Sequence, residues 1–201
     1  MLSDLDTASS ARAKAPQFRY RCSSCDKLHS GLPDLTFNAP DAWLAMAGSE
    51  RGRHGHLSSD FCIIEDRDYF VRCVLEVPII DGGAGLPEHF TFGVWGSLSL
   101  KSFNTYRMRD TSQALTGKTS KGKKTTLKAG PFFGWFSNRL TVYPDTTNLK
   151  CSIEPRAGTL HPLLILEPSD HPLSADSRNG MPAERAIELA RTMPGVMVVI
   201  A

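Results

Sequence analysis

The residues best equipped for chemistry lie close together near the start of the chain. In "RYRCSSCDKLHSGLP" (19–33), Cys22 and Cys25 stand three positions apart and His29 follows four later. Zinc takes thiolate and imidazole ligands in a tetrahedron, and C-x-x-C is the tight turn that offers two thiolates to one ion. One loop therefore carries three ligands, and the fourth must come from Cys62, Cys73, Cys151 or the His54/His56 pair. Cys73 shares an apolar strand face with Val71, Leu75 and Val77, and Cys151 shares one with Leu149 and Ile153, so both read as core thiols. Cys62 follows Ser59-Asp60 at a strand entrance and is the expected fourth ligand. Four protein ligands would make a closed structural site that staples the fold. Three ligands plus water would make an open site, and Asp60 could then serve as a base in a zinc-dependent hydrolase. The plain alternative is a pair of surface thiols beside an unrelated histidine. A thioredoxin-type redox pair fits less well, because "DKLHSGLP" breaks at Gly31 and Pro33 instead of opening a helix.

Other chemistry-bearing residues are scattered. Arg72 and Glu76 share one face of a strand, about 13 Å apart, too far for a direct pair. That face either meets a polar pocket or borders solvent at a sheet edge. Trp95 stands among polar neighbours on its strand and reads as packing rather than a ligand platform, as does Trp135. "EPSDHPL" gathers Glu167, Asp170 and His171. Without a nucleophile or metal partner these residues read as a helix start, capped by Ser169 or Asp170 with Pro172 in the first turn. Five lysines in "GKTSKGKKTTLKAG" (117–130) form a mobile insertion without the interleaved aromatics that a single-strand nucleic-acid binder uses. There is no G-x-S-x-G, G-x-G-x-x-G, Walker loop or H-E-x-x-H.

The elements that must hold these residues are mostly strands. "FRYRC" (18–22) runs into the cysteine turn. "FCIIE" (61–65) and "YFVRCVLEVPI" (69–79) flank Asp66–Asp68 as a hairpin, and "FTFGVWGSLSL" (90–100) alternates cleanly. "TNLKCSIE" (147–154) and "LLILE" (163–167) add two more. Helices are expected over 40–48, after residue 100, and over 184–193, where Ala186, Leu189, Ala190 and Met193 form a stripe and Pro194 stops the run. "SERGRHGH" reads as a loop. The expected fold is α+β: an antiparallel β-sheet with a few short helices and a zinc-knuckle-like N-terminal loop. Residues 1–16 read as a disordered tail and 17–201 as one domain. Net charge is +2, from 23 basic and 21 acidic residues, so nothing general points to a polyanionic partner. An odd count of five cysteines, no secretory h-region and no apolar run of about 20 residues point to a cytoplasmic protein with no membrane span.

Several phrases together resemble DUF2199, a bacterial family of unknown function: "CSSCDKLHSGLP" (22–33), "SSDFCIIEDRDYFVRCVLEVPI" (58–79), "FGVWGSLS" (92–99), "FFGWFSNRLTVYPDTTNLK" (132–150) and "LEPSDHPLSADSRNG" (166–180). The resemblance implies a single α+β domain and a metal-binding knuckle, and it implies no reaction. The tail, the lysine-rich insertion and the apolar C-terminus depart from it. The expectation is a non-enzymatic zinc-binding module, for instance of immunity type, that binds another macromolecule, a protein. A zinc-dependent hydrolase and a nucleic-acid-binding protein are the alternatives.

Overall fold

The computed structural model describes residues 18–22, 25–83, 85–114, 130–157, 160–193 and 196–200. The expected tail (1–16) and the lysine-rich insertion, apart from Gly130, lie outside them. In chain order the elements are β1 (Phe18–Cys22), β2 (Leu28–Ser30), β3 (Leu35–Thr36), α1 (Asp41–Ala45), α2 (Gly48–His54), β4 (Gly55–Leu57), β5 (Phe61–Ile64), β6 (Asp68–Ile80) and β7 (His89–Leu98). There follow α3 (Leu100–Ala114), β8 (Phe132–Phe136), β9 (Lys150–Glu154), β10 (Leu163–Leu166), α4 (Pro172–Asn179), β11 (Met181–Pro182), α5 (Ala183–Thr192) and β12 (Val196–Ile200).

The fold is α+β, but its centre is not a simple antiparallel sheet. Strands β6 to β10 pair antiparallel in sequence order, and β10 then returns to β6 in parallel, Leu163 opposite Val74. That last pairing closes a five-stranded barrel. An odd number of up-and-down strands leaves the first and last pointing the same way, so closure has to be parallel. The inward positions are the alternating apolar set: Val71, Cys73, Leu75 and Val77 on β6, Phe90, Phe92 and Val94 on β7, Ile153 on β9 and Leu164 on β10. Two inward positions are glycine because the barrel is narrow. A Cβ on Gly96 would stand 2.7 Å from the Ile153 Cδ1, and one on Gly134 would stand 2.5 Å from the Ser97 carbonyl oxygen. Phe103 of α3, Leu173 of α4, and Ala186, Leu189 and Ala190 of α5 complete this core.

The chain between β2 and β5 forms a strap over the outer face of the barrel. Strand β3 pairs in parallel with β7, Thr36 opposite Gly93, and β4 extends the sheet beyond β5. Beneath the strap lies a second, smaller core of Cys62, Ile64, Phe70 and Trp95. Residues 49–54, expected as loop, lie in helix α2; Arg51, Arg53 and His54 in its last turn suit the negative end of the helix dipole. Asn138 fixes the strap. It is fully buried, its Oδ1 accepts from the Trp95 backbone N–H at 2.8 Å, and its Nδ2 donates to the Ala39 carbonyl at 2.9 Å.

A separate three-stranded sheet, ordered β12-β1-β2, carries the cysteine-histidine segment. The apolar C-terminal run pairs antiparallel with β1, Val196 opposite Cys22 and Ile200 opposite Phe18. Among the described residues no helix is long and apolar enough to cross a membrane.

Candidate metal centre

Strand alternation puts the three ligands together. On β1 the side chains of Tyr20 and Cys22 lie on one face, two residues apart. His29 on β2 is the cross-strand partner of Tyr20, so it shares that face, and the two rings stack with centroids 5.0 Å apart. The turn between the strands is tied by Cys22 N–H donating to the Lys27 carbonyl at 3.0 Å and Asp26 N–H donating to the Cys22 carbonyl at 2.8 Å. Asp26 takes the left-handed conformation (φ 52°) that so short a connection needs, and Arg21 holds its carboxylate at 3.0 Å. This turn lifts Cys25 back toward His29, whose Nε2 lies 3.2 Å from the Cys25 Sγ.

The Sγ atoms of Cys22 and Cys25 and a His29 ring nitrogen all lie within 4.8 Å of one another. A tetrahedral zinc with ordinary bond lengths separates a sulfur and a nitrogen ligand by about 3.6 Å and two sulfurs by about 3.8 Å. An opening of a few tenths of an ångström between Cys25 and His29 would therefore admit the ion. The donor set, two thiols and an imidazole, is one that zinc prefers. Cys25 is exposed and the other two are half-buried. Burial, then the Asp34 carboxylate, then the two thiols push the Tyr20 phenol above its ordinary value.

Cys62 is not part of this group. Among the described residues no fourth cysteine, histidine or carboxylate joins it. The strand entrance that made Cys62 attractive is real, but its side chain points inward against Phe70 and Trp95, fully buried. Burial raises its thiol to about 12. Cys73 and Cys151 are core thiols as expected, the latter also raised to about 12 by burial. Asp60 is not in the group either: its Oδ1 faces the His161 Nδ1 at 3.4 Å and its Oδ2 accepts from Ser59 Oγ.

The remaining candidates separate from one another. Glu76 pairs with Arg156 at 3.3 Å. Arg72 instead donates to the Phe37 and Ser59 carbonyls at 3.2 and 3.3 Å and lies over the Trp95 ring at 5.9 Å. Strand β6 is no sheet edge, but this face is only partly covered: Arg72 meets the strap, while Glu76 is partly exposed to solvent. Trp95 is fully buried, its Nε1 donating to the Phe37 carbonyl at 3.0 Å, so it is packing. Trp135 is partly exposed, edge-on to Phe133. His171, rather than Ser169 or Asp170, caps α4: its Nδ1 accepts from Leu173 N–H at 3.1 Å. Asp170 is exposed beside it. The sequence reading missed Asn138 and the Asp60–His161 pair. Asn138 follows the apolar run "FFGW" as a lone amide, a weak sign of a buried polar anchor, and nothing in the spacing links residues 60 and 161.

Barrel and hairpin define a class: a small closed β-barrel with a Cys2His cluster on an appended sheet. The chain belongs to the DUF2199 family, described as an uncharacterized protein conserved in bacteria, whose model matches residues 21–181. Among curated proteins and among solved structures nothing matches the chain.

Proposed function

We propose that the protein is a zinc-binding module without catalytic activity, in which Cys22, Cys25 and His29 hold one zinc ion and so brace the β1–β2 hairpin as a recognition surface for a protein partner. The convergence of the three ligand atoms within 4.8 Å carries this reading. The ion would cross-link a short turn otherwise held by two backbone bonds and the exposed Arg21–Asp26 pair, at an exposed place that a partner can reach. Thiolates stay available to metal in a reducing compartment, which fits a cytoplasmic site of action. A nucleic-acid partner is the weaker choice, given a net charge of +2.

The lack of a fourth ligand among the described residues favours one second reading, a zinc-dependent hydrolase. Against it, Asp60, the carboxylate offered as base, is engaged by His161 and Ser59. Zinc titration followed by amide hydrogen exchange separates the two. The module reading expects slowed exchange at Cys22 and Asp26, no change in the barrel, and no zinc-dependent cleavage of an activated ester. Ester turnover lost in His29→Ala while the fold stays intact would replace it with the hydrolase.

A further inference from the structure

The strap packs over Phe70 of β6 and Trp95 of β7. On β8, β9 and β10 the outward side chains stay open. The alternation that sends Gly134, Cys151, Ile153 and Leu164 inward turns Phe133, Ser152 and Ile165 outward. The ladder sets these three side by side, with Ser152 opposite both Phe133 and Ile165. Phe133 is 52% exposed, Ile165 45%, and Trp135, edge-on to Phe133, 39%. Large rings and aliphatic groups are core and interface side chains, and a contiguous open row of them marks a contact surface.

Charge frames this row. Lys150 and Glu154 stand on β9 two positions to either side of Ser152, on the same face. Four strand residues hold them about 13 Å apart, too far to meet each other. Among the described residues neither has an ion-pair partner, not even Lys150 with Glu167, whose N–H donates to the Lys150 carbonyl at 2.9 Å. Arg156, the cation nearest to Glu154 along the chain, is engaged by Glu76. The face is thus an apolar row with a lysine beyond one side and a glutamate beyond the other. A half-turn about an axis lying in the face along that row keeps the row in place and exchanges the two sides. It sets Phe133 and Ile165 against the same residues of a second copy, and Lys150 against the second copy's Glu154, twice. A two-fold axis along β9 would instead oppose lysine to lysine.

We propose that this face joins two copies of the chain in a two-fold dimer, with Phe133 and Ile165 at its centre and two Lys150–Glu154 pairs flanking them. A two-fold contact needs a surface complementary to itself, and this one is so in both polarity and charge. The charges fix the register more than they add affinity. The patch runs about 13 Å along β9 and about 10 Å across the three strands. With its side chains it covers roughly 400 Å², half of the ~800 Å² per partner of a standard interface, so the dimer is weak and forms at high chain concentration. A net charge of +2 opposes it little. The dimer is independent of the zinc reading.

The test is sedimentation equilibrium of the full chain from micromolar to millimolar concentration, with a chelator present so that no metal bridges two chains. The expected result is a concentration-dependent monomer–dimer equilibrium. Lys150→Glu and Glu154→Lys each weaken it at least tenfold, because each sets like charges against one another at both ends. Mixing the two variants restores the dimer, because each chain then meets opposite charge at both ends. Ile165→Asp weakens it at least tenfold as well, and all three variants keep the far-ultraviolet spectrum. A chain that stays monomeric at millimolar concentration would overturn the proposal and leave the face to a different protein. A dimer indifferent to either charge reversal, or a mixture that associates no better than its parts, would overturn it equally.

Discussion

Replacing Asn138 with alanine should destabilise the protein more than any surface change near it. The side chain is fully buried and satisfies two backbone groups that have no access to water: the Trp95 N–H and the Ala39 carbonyl. A third bond, to Asp41 Oδ1 at 3.2 Å, is partly exposed and adds little. Each buried backbone group left unpaired costs about 1–3 kcal/mol, so the pair costs about 2–6 kcal/mol. Against a total stability of about 5–15 kcal/mol this is a large fraction. Urea unfolding should show the midpoint lowered by roughly 1–2 M with the slope kept. Ser137→Ala, one residue away, removes only an exposed hydroxyl bond to the Trp135 carbonyl and should change stability by less than about 0.5 kcal/mol. A loss below about 1 kcal/mol in Asn138→Ala with an unchanged slope would refute the claim that this amide anchors the strap.

The other expectations can be checked on the same purified protein. After zinc is removed with a chelator, iodoacetamide at neutral pH should label Cys25 and Cys22 and leave Cys62, Cys73 and Cys151 unmodified until unfolding, as mass mapping of the adducts would show, because the last three are buried. Burial raises Cys62 and Cys151 from the ordinary thiol value of 9.0 to about 12. The folded state therefore keeps protons that the unfolded chain releases, and the contribution of these thiols to stability should fall as pH rises above about 9, measured by urea midpoints at stepped pH. Gly134→Ala should cost about 1–3 kcal/mol, because the new methyl meets the Ser97 carbonyl oxygen in the barrel wall; an unchanged melting temperature would show that the wall gives way. His171→Ala removes the cap of α4 and should cost about 1 kcal/mol by the same unfolding assay.

Much of the barrel was legible because its strands alternate. The faces of β6 and β7 follow directly from the spacing of Val71, Cys73, Leu75 and Val77 and of Phe90, Phe92 and Val94. Closure was not legible, because it depends on a parallel return from β10 to β6 across some ninety residues, and no local pattern encodes that. Strand β8 carries no clear strand signal because "FFGWF" is short and interrupted by glycine, and that glycine is there because the barrel is narrow. Trp95 looked as if it stood on a polar face because its neighbours Thr91, Ser97 and Ser99 are polar; the strap that covers it comes from residues sixty positions earlier. The clustering of Cys22, Cys25 and His29 follows from their spacing alone. A fourth ligand was sought forty residues away, and the same alternation that buries Ile64 also turns Cys62 inward.

The most direct test of the central claim is elemental analysis of the full chain purified without added chelator, beside the variants Cys25→Ser, His29→Ala and Cys62→Ala. One zinc per chain in the wild type and in Cys62→Ala, and loss of zinc in folded Cys25→Ser and His29→Ala, is the predicted result. A wild-type protein that binds no zinc on titration, or a zinc content that depends on Cys62 and not on Cys25 and His29, would contradict it.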